Sequence, residues 1–236
     1  MKYKKILVSE NKEYFYEKGD LHTDLGAIKE QDILSKEEVT TNKGKKLKVM
    51  NAGFNDNLKK IKRGPQIIIH KDIGMILAYT NIDKNSIVVD AGSGCGVTAL
   101  HLARFVKQVY SYEIREDHHE IAKKNVQMFE FKNITLKLKD ICEGIQEKNA
   151  DLIILDLPTP DRVVDQAYES LKSGGYLVVY VPQITQVKAF VEKAKELFSI
   201  ERTIEVLERE WHTSNKIYRP KNQMLGHTAF LVFARK

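Results

Sequence analysis

The chain of 236 residues, 42% hydrophobic and 30% charged, is long enough for one large domain or for one domain with an appendage. That composition excludes a disordered chain, and no apolar run approaches the roughly 18 residues of a membrane-spanning helix. The net charge is +6, and residues 1–63 hold 15 basic against 10 acidic side chains, an asymmetry that suits a polyanionic partner but also an ordinary solvated surface.

At the start, Met1-Lys2-Tyr3-Lys4-Lys5 is basic, but only Ile6-Leu7-Val8 follows before Ser9 and Glu10. That run is too short for a secretory core, so a cytoplasmic protein is expected. Short β segments come next, at Lys5–Val8, Tyr14–Tyr16 and Lys46–Met50, punctuated by Gly19, Gly26, Gly44 and Gly53. Closely spaced turns along short strands predict a small β-rich domain over residues 1–63, with Asp56–Arg63 as its polar connector. The stretch Gly64–Ile73 is more apolar and is expected to dock on the domain that follows.

From Ser86 the rhythm changes to apolar runs alternating with segments of helical period. Strands are predicted at Ile87–Asp90, Val109–Glu113, Ile134–Leu138, Leu152–Leu157 and Tyr176–Val181. Helices are predicted at Val97–Val106, Asp117–Phe129, Asp161–Leu171 and Thr185–Phe198. This alternation is the mark of an α/β domain with a mostly parallel sheet, here residues 64–236. Ile200–Glu208 and Thr228–Ala234 have no helix between them and are expected to pair as an antiparallel hairpin with a long connection.

The strongest chemical signal is Val88-Val89-Asp90-Ala91-Gly92-Ser93-Gly94-Cys95-Gly96-Val97-Thr98, a strand, a glycine turn and a helix start. Glycines there let the backbone turn tightly and approach a ligand. A dinucleotide fingerprint would need a third glycine where Val97 stands, so a nucleoside cofactor without pyrophosphate fits better and a dehydrogenase is disfavoured. Glu113 closes the next strand, where a carboxylate can accept from two ribose hydroxyls. At Asp140-Ile141 the acid suits either an adenine amino group or a helix cap. Asp156 closes an apolar strand before Leu157-Pro158-Thr159-Pro160, at the sheet edge where open α/β folds bind ligands, although a turn role suits it too. Cys95 and Cys142 are too few for a disulfide scaffold and lack metal-ligand spacing, so no metal is expected.

In order along the chain, these motifs resemble those of class I S-adenosylmethionine-dependent methyltransferases. Three further segments narrow the likeness: Lys62-Arg63-Gly64-Pro65-Gln66-Ile67-Ile68-Ile69-His70-Lys71-Asp72-Ile73-Gly74, Ile184-Thr185-Gln186-Val187 and Gly226-His227-Thr228-Ala229-Phe230-Leu231. They resemble the tRNA (adenine-N1)-methyltransferases that act on the T-loop, over a span from about Gly19 to the C-terminus. The resemblance implies a Rossmann-like catalytic domain, a small N-terminal β domain that helps hold tRNA, and a homotetramer. It implies S-adenosylmethionine contacts from Asp90, Gly92, Ser93, Gly94, Cys95, Gly96, Glu113, His118, Asp140, Ile141 and Asp156. Catalytic roles fall to Asp156 and His70, and substrate contacts to His70, Lys71, Arg219 and His227. His70 stands where bacterial members commonly carry tyrosine, which leaves open its hold on the base and whether adenine 58 alone or adenine 57 as well is methylated.

The segment Arg209–Gln223, with Arg209, Lys216, Arg219 and Lys221 interleaved with Trp211, His212 and Tyr218, suits backbone contact and base stacking, or a plain loop with Trp211 as anchor. The rival readings are a class I methyltransferase for a small molecule or a protein, and a non-catalytic RNA-binding subunit. The intact glycine turn with Glu113 and Asp156 argues against the second.

Overall fold

The computed structural model describes residues 1–9, 12–64, 67–214 and 217–236; Glu10, Pro65, Gln66 and Lys216 of the segments above lie outside the described residues. The chain divides into two compact units, one of Met1–Lys62 with Gln127–Glu130 and one of Arg63–Val126 with Phe131–Lys236.

The first unit holds strands β1 (Lys5–Val8), β2 (Glu13–Tyr16), β3 (Leu21–Thr23) and β4 (Gly26–Ile28), helix α1 (Glu30–Ser35), strands β5 (Glu38–Thr40) and β6 (Lys46–Asn51), and helix α2 (Phe54–Leu58). An antiparallel sheet runs β2-β1-β6-β5, and β3 and β4 pair as a separate ribbon. Its core is Leu7, Tyr16, Ile28, Ile33, Val39, Leu47 and Val49. In β6 the pattern is the alternation expected of a half-buried strand, Leu47 and Val49 inward and lysines outward. Two short helices accompany the expected β-rich sheet. Only Ile33 of α1 is buried, too little for a helical period to register in sequence. At the start of the predicted connector α2 is held by the wholly buried Asn57, whose amide accepts from the Tyr3 N–H at 2.9 Å and donates to the carbonyls of Tyr3 at 3.2 Å and Gly53 at 3.0 Å.

The second unit contains α3 (His70–Tyr79), β7 (Ile87–Ala91), α4 (Val97–Leu102), β8 (Gln108–Glu113), α5 (Glu116–Phe129, its last turn in the first unit), β9 (Ile134–Leu138), β10 (Ala150–Leu155), α6 (Val164–Ser170), β11 (Leu171–Val181), α7 (Ile184–Ala194), β12 (Ser199–Glu205), the ribbon β13 (Trp211–Ser214) and β14 (Ile217–Pro220), and β15 (Phe230–Arg235). These form a seven-stranded sheet of order β12-β15-β11-β10-β7-β8-β9, parallel except where β15 runs antiparallel to β11 and β12. It is the Rossmann-like, mostly parallel sheet that the resemblance implies, and β12 with β15 is the antiparallel pair expected from the C-terminal stretches.

Burial on both faces explains the apolar runs. Val89, Ile153, Leu155 and Val179 point to a core shared with Phe190 of α7, while Val88, Ile154 and Val178 point to one shared with Ile76 of α3 and Phe233 of β15. Truncating Ile153, which is fully buried, should cost about 2–5 kcal/mol. The predicted helix Asp161–Leu171 begins instead with a 3₁₀ turn over Pro160–Val163, consistent with proline at its start. That over Thr185–Phe198 ends at Ala194. Chain order reverses at β7, which lies between β8 and β10, so a crevice opens beyond the carboxyl ends of β7 and β10. No described helix is long and apolar enough to cross a membrane.

Candidate active site

Beyond β7 the chain turns on Gly94 (φ +55°) and Gly96 (φ +84°), backbone positions that disfavour any side chain with a Cβ. A Cβ on Gly96 would also lie 3.4 Å from Ala122 of α5, so this glycine lets two elements pack closely. Asp90 lies beneath the turn, 1% exposed. The Ser111 hydroxyl donates to Asp90 Oδ2 at 2.6 Å and lies 2.6 Å from Ser93 Oγ, while Asp90 Oδ1 has no partner among the described residues. Burial above all, helped by the charges of Asp156 and Glu113, pushes Asp90 up to about 7.

Glu113 joins the ends of β7 and β8. Its Oε2 accepts from the Gly94 N–H at 2.9 Å and its Oε1 from the Arg115 N–H at 3.0 Å, with His118 Nδ1 at 3.8 Å from Oε2. Two amide donors fix the carboxylate and leave lone pairs on both oxygens.

Asp156 follows β10, its N–H donating to the Ala91 carbonyl at 2.5 Å, which ties it to the start of the glycine turn. Burial alone raises its carboxyl to about 7, since no described residue donates a hydrogen bond to it. It is therefore a largely buried acid on the cleft wall with acceptor capacity for a ligand.

These groups line one cleft of about 480 Å³, walled by Gly92, Gly94, Glu113, Ile114, Arg115, His118, Asp156, Leu157, Pro158, Tyr180, Pro182 and Gln186. The volume suits a nucleoside-sized ligand. The fit to S-adenosylmethionine is good: a glycine cradle, a carboxylate with free lone pairs and an unpartnered acid face the same space.

The other predicted site residues lie elsewhere. Ser93, Cys95 and Gly96 form the inward side of the turn, with the Cys95 carbonyl accepting from Asn125 Nδ2 at 2.8 Å. Asp140 caps a 3₁₀ turn, accepting from the Cys142 N–H at 2.8 Å, and Ile141 is buried in the core, neither being a lining residue of the cleft. His70 is exposed at the start of α3, its ring edge-on to His101 at 5.1 Å. Burial lowers His101 to about 4, so it is neutral at pH 7. Lys71 is nearly buried, its ammonium on Asp72 and Thr228. His227 bridges Glu205 at 2.5 Å and the Pro182 carbonyl at 2.8 Å. Arg219 is on the exposed ribbon, bonded to Asn222 Oδ1 at 2.7 Å.

Sequence reasoning missed Tyr180 and gave Gln186 only as part of a resembling segment, with no site role. Tyr180 stands near the end of a strand in which valines surround it, a polar break like that of Asp156. Gln186 Nε2 donates to the Pro158 carbonyl at 2.9 Å, holding the turn after Asp156.

The family described as tRNA methyltransferase complex GCD14 subunit matches residues 57–218. The chain belongs to this family. Among relatives, the tRNA (adenine(57)-N(1)/adenine(58)-N(1))-methyltransferase TrmI of Methanocaldococcus jannaschii is 35% identical, covering 98% of this chain and 94% of its own. The tRNA (adenine(58)-N(1))-methyltransferase TrmI of Thermus thermophilus is 33% identical over 93% of this chain and 90% of its own. A crystal structure of a SAM-dependent O-methyltransferase from Thermotoga maritima superposes on this GCD14-family chain with a TM-score of 0.87 at 31% identity, covering 100% of this chain and 93% of that one.

Proposed function

We propose that this chain transfers a methyl group from S-adenosylmethionine to N1 of adenine 58, or of adenines 57 and 58, in the T-loop of tRNA. The observation that carries the reading is Asp156: a largely buried carboxylate that lines the cleft and accepts no hydrogen bond from a described residue, in a chain of this family. Bound S-adenosylmethionine supplies a methyl group already activated on a sulfonium, so the protein's task is placement and electrostatics. Glu113, held by the Gly94 and Arg115 amides, has lone pairs for two ribose hydroxyls. Gly92 and Gly94 let backbone approach the cofactor closely, and His118 walls the pocket beside Glu113.

Adenine N1 attacks through its in-plane lone pair, and positive charge spreads over the ring onto the exocyclic amino group. Asp156 accepts a hydrogen bond from that amino group and stabilises the charge where it develops. With a pKa of about 7, it is also poised to take the amino proton. A T-loop adenine must leave its stack to reach this cleft. Tyr180 and Leu157 offer apolar surface to the extracted base, and His70 a ring at the start of α3. Arg219 and His227 are proposed tRNA contacts, with the basic N-terminal unit adding phosphate contacts. The working form is proposed to be a cytoplasmic homotetramer.

The test is methyl transfer from labelled S-adenosylmethionine to an unmodified tRNA transcript, with nuclease digestion, nucleoside identification and transcripts altered at 57 or 58. N1-methyladenosine lost on changing those positions supports the reading. Cofactor binding without RNA methylation, or label on an oxygen, overturns it.

A further inference from the structure

The two segments of narrowest resemblance, His70-Lys71-Asp72 and Gly226-His227-Thr228, meet inside the catalytic unit although Lys71 and Thr228 are 157 positions apart. Lys71 Nζ donates to Asp72 Oδ1 at 2.7 Å and to Thr228 Oγ1 at 2.8 Å. The Thr228 hydroxyl donates onward to Asp72 Oδ2 at 3.1 Å, and the Tyr180 hydroxyl donates to the same oxygen at 3.3 Å. Asp72 is fully buried, and Tyr180 and Thr228 are buried around it.

A buried ion pair is a weak device for stability, since desolvating both charges offsets most of their attraction and apolar side chains would serve as well. Its location supplies another reason for it. Tyr180 is a wall of the cleft that holds Asp156, and its hydroxyl donates to Asp72. One polar contact thus ties the wall to α3, the helix that His70 begins. Two residues on from Tyr180, the Pro182 carbonyl is held by His227, the neighbour of Thr228.

We propose that Lys71, Asp72 and Thr228 are positioning residues for methyl transfer. They lock the ring of Tyr180 in one orientation as the surface against which the acceptor base is set over Asp156. Asp72 is the acceptor at the hub, and Lys71 places its ammonium against it in a buried site. Lys71 then acts on the substrate through Tyr180 and not by touching it. This inference rests on the proposed adenine methylation.

The test uses full-length Thr228→Val, Thr228→Ser, Tyr180→Phe and the Thr228→Val/Tyr180→Phe double variant. Single-turnover transfer to unmodified tRNA is measured beside cofactor affinity and thermal stability. Thr228→Val and Tyr180→Phe should each slow transfer about fivefold to tenfold, the scale of one hydrogen bond, with cofactor affinity within about twofold of wild type. Thr228→Ser should restore the rate, and the double variant should be no slower than the slower single one. Wild-type rates in Thr228→Val, fully additive losses, or losses matched by weaker cofactor binding would overturn the proposal. If Thr228→Val does not fold, Tyr180→Phe, which removes one oxygen, decides it by the same rate and affinity criteria. A wild-type protein that methylates no tRNA adenine defeats the functional reading itself, an outcome distinct from the others.

Discussion

In the N-terminal unit the pairs Lys12–Asp24, Lys29–Asp20, Lys36–Asp32, Lys46–Glu38 and Lys59–Glu13 all lie on the surface. In the catalytic unit Asp72, Asp90 and Glu113 are buried and Asp156 nearly so. Exposed pairs are worth little each, so charge in the first unit solvates and is available to a polyanion. A buried carboxylate is costly unless something answers it, so each one in the second unit has a partner or an opening toward a ligand. Where the charges sit separates a solvated surface from a cluster of buried and half-buried carboxylates.

Several substitutions would break or sharpen that contrast. The largest effect belongs to Asp156→Ala, which removes the stabilising anion and should lower single-turnover methylation about 100- to 1000-fold, with cofactor binding partly intact in calorimetry. Next comes Glu113→Gln. Its new amide must face the Gly94 or Arg115 N–H, so cofactor affinity should fall about 10- to 100-fold while folding persists by circular dichroism.

A third prediction concerns acid stability without cofactor. Asp90 and Asp156 are both raised to about 7 in the folded chain, so between the unfolded carboxyl pKa of about 3.9 and that value the folded state binds more protons. Their contribution is full below the unfolded pKa and is lost as pH rises through about 7. Thermal midpoints of wild type relative to Asp90→Asn should therefore fall between about pH 5 and pH 8, and a parallel pair of curves would refute the burial argument.

The smallest effect is expected in the N-terminal unit, where Lys43, Lys45 and Lys48 are exposed and have no ion pair among the described residues. Their joint change to glutamine should weaken tRNA binding severalfold and flatten its salt dependence, without altering cofactor affinity. An unchanged salt slope would remove this surface from the account.

Much of this was legible in sequence because position along a parallel strand is chemically marked. Asp90, Glu113 and Asp156 each interrupt an apolar run at its carboxyl end, and the sheet brings those ends together. Tyr180 carries the same mark, but its hydroxyl contact with Asp72 depends on tertiary packing of α3 against β11. That the Lys71 ammonium meets Thr228, 157 positions away, is likewise invisible in the local sequence. Helices α1 and α2 escaped notice because each is too short to display a period, and α2 is fixed by the Asn57 bonds to Tyr3 and Gly53. Asp140 was open between two roles, and its bond to Cys142 is that of a cap.

The most direct test of the central claim pairs Asp156 with the atom it is proposed to hold. Wild type and Asp156→Asn would be compared in single turnover on tRNA carrying adenine at the target position and on the same tRNA carrying purine, which lacks the exocyclic amino group. The account predicts that the large penalty of Asp156→Asn on adenine nearly vanishes on purine, because the hydrogen bond is then already missing. An equal penalty on both substrates would contradict it and assign Asp156 some other task.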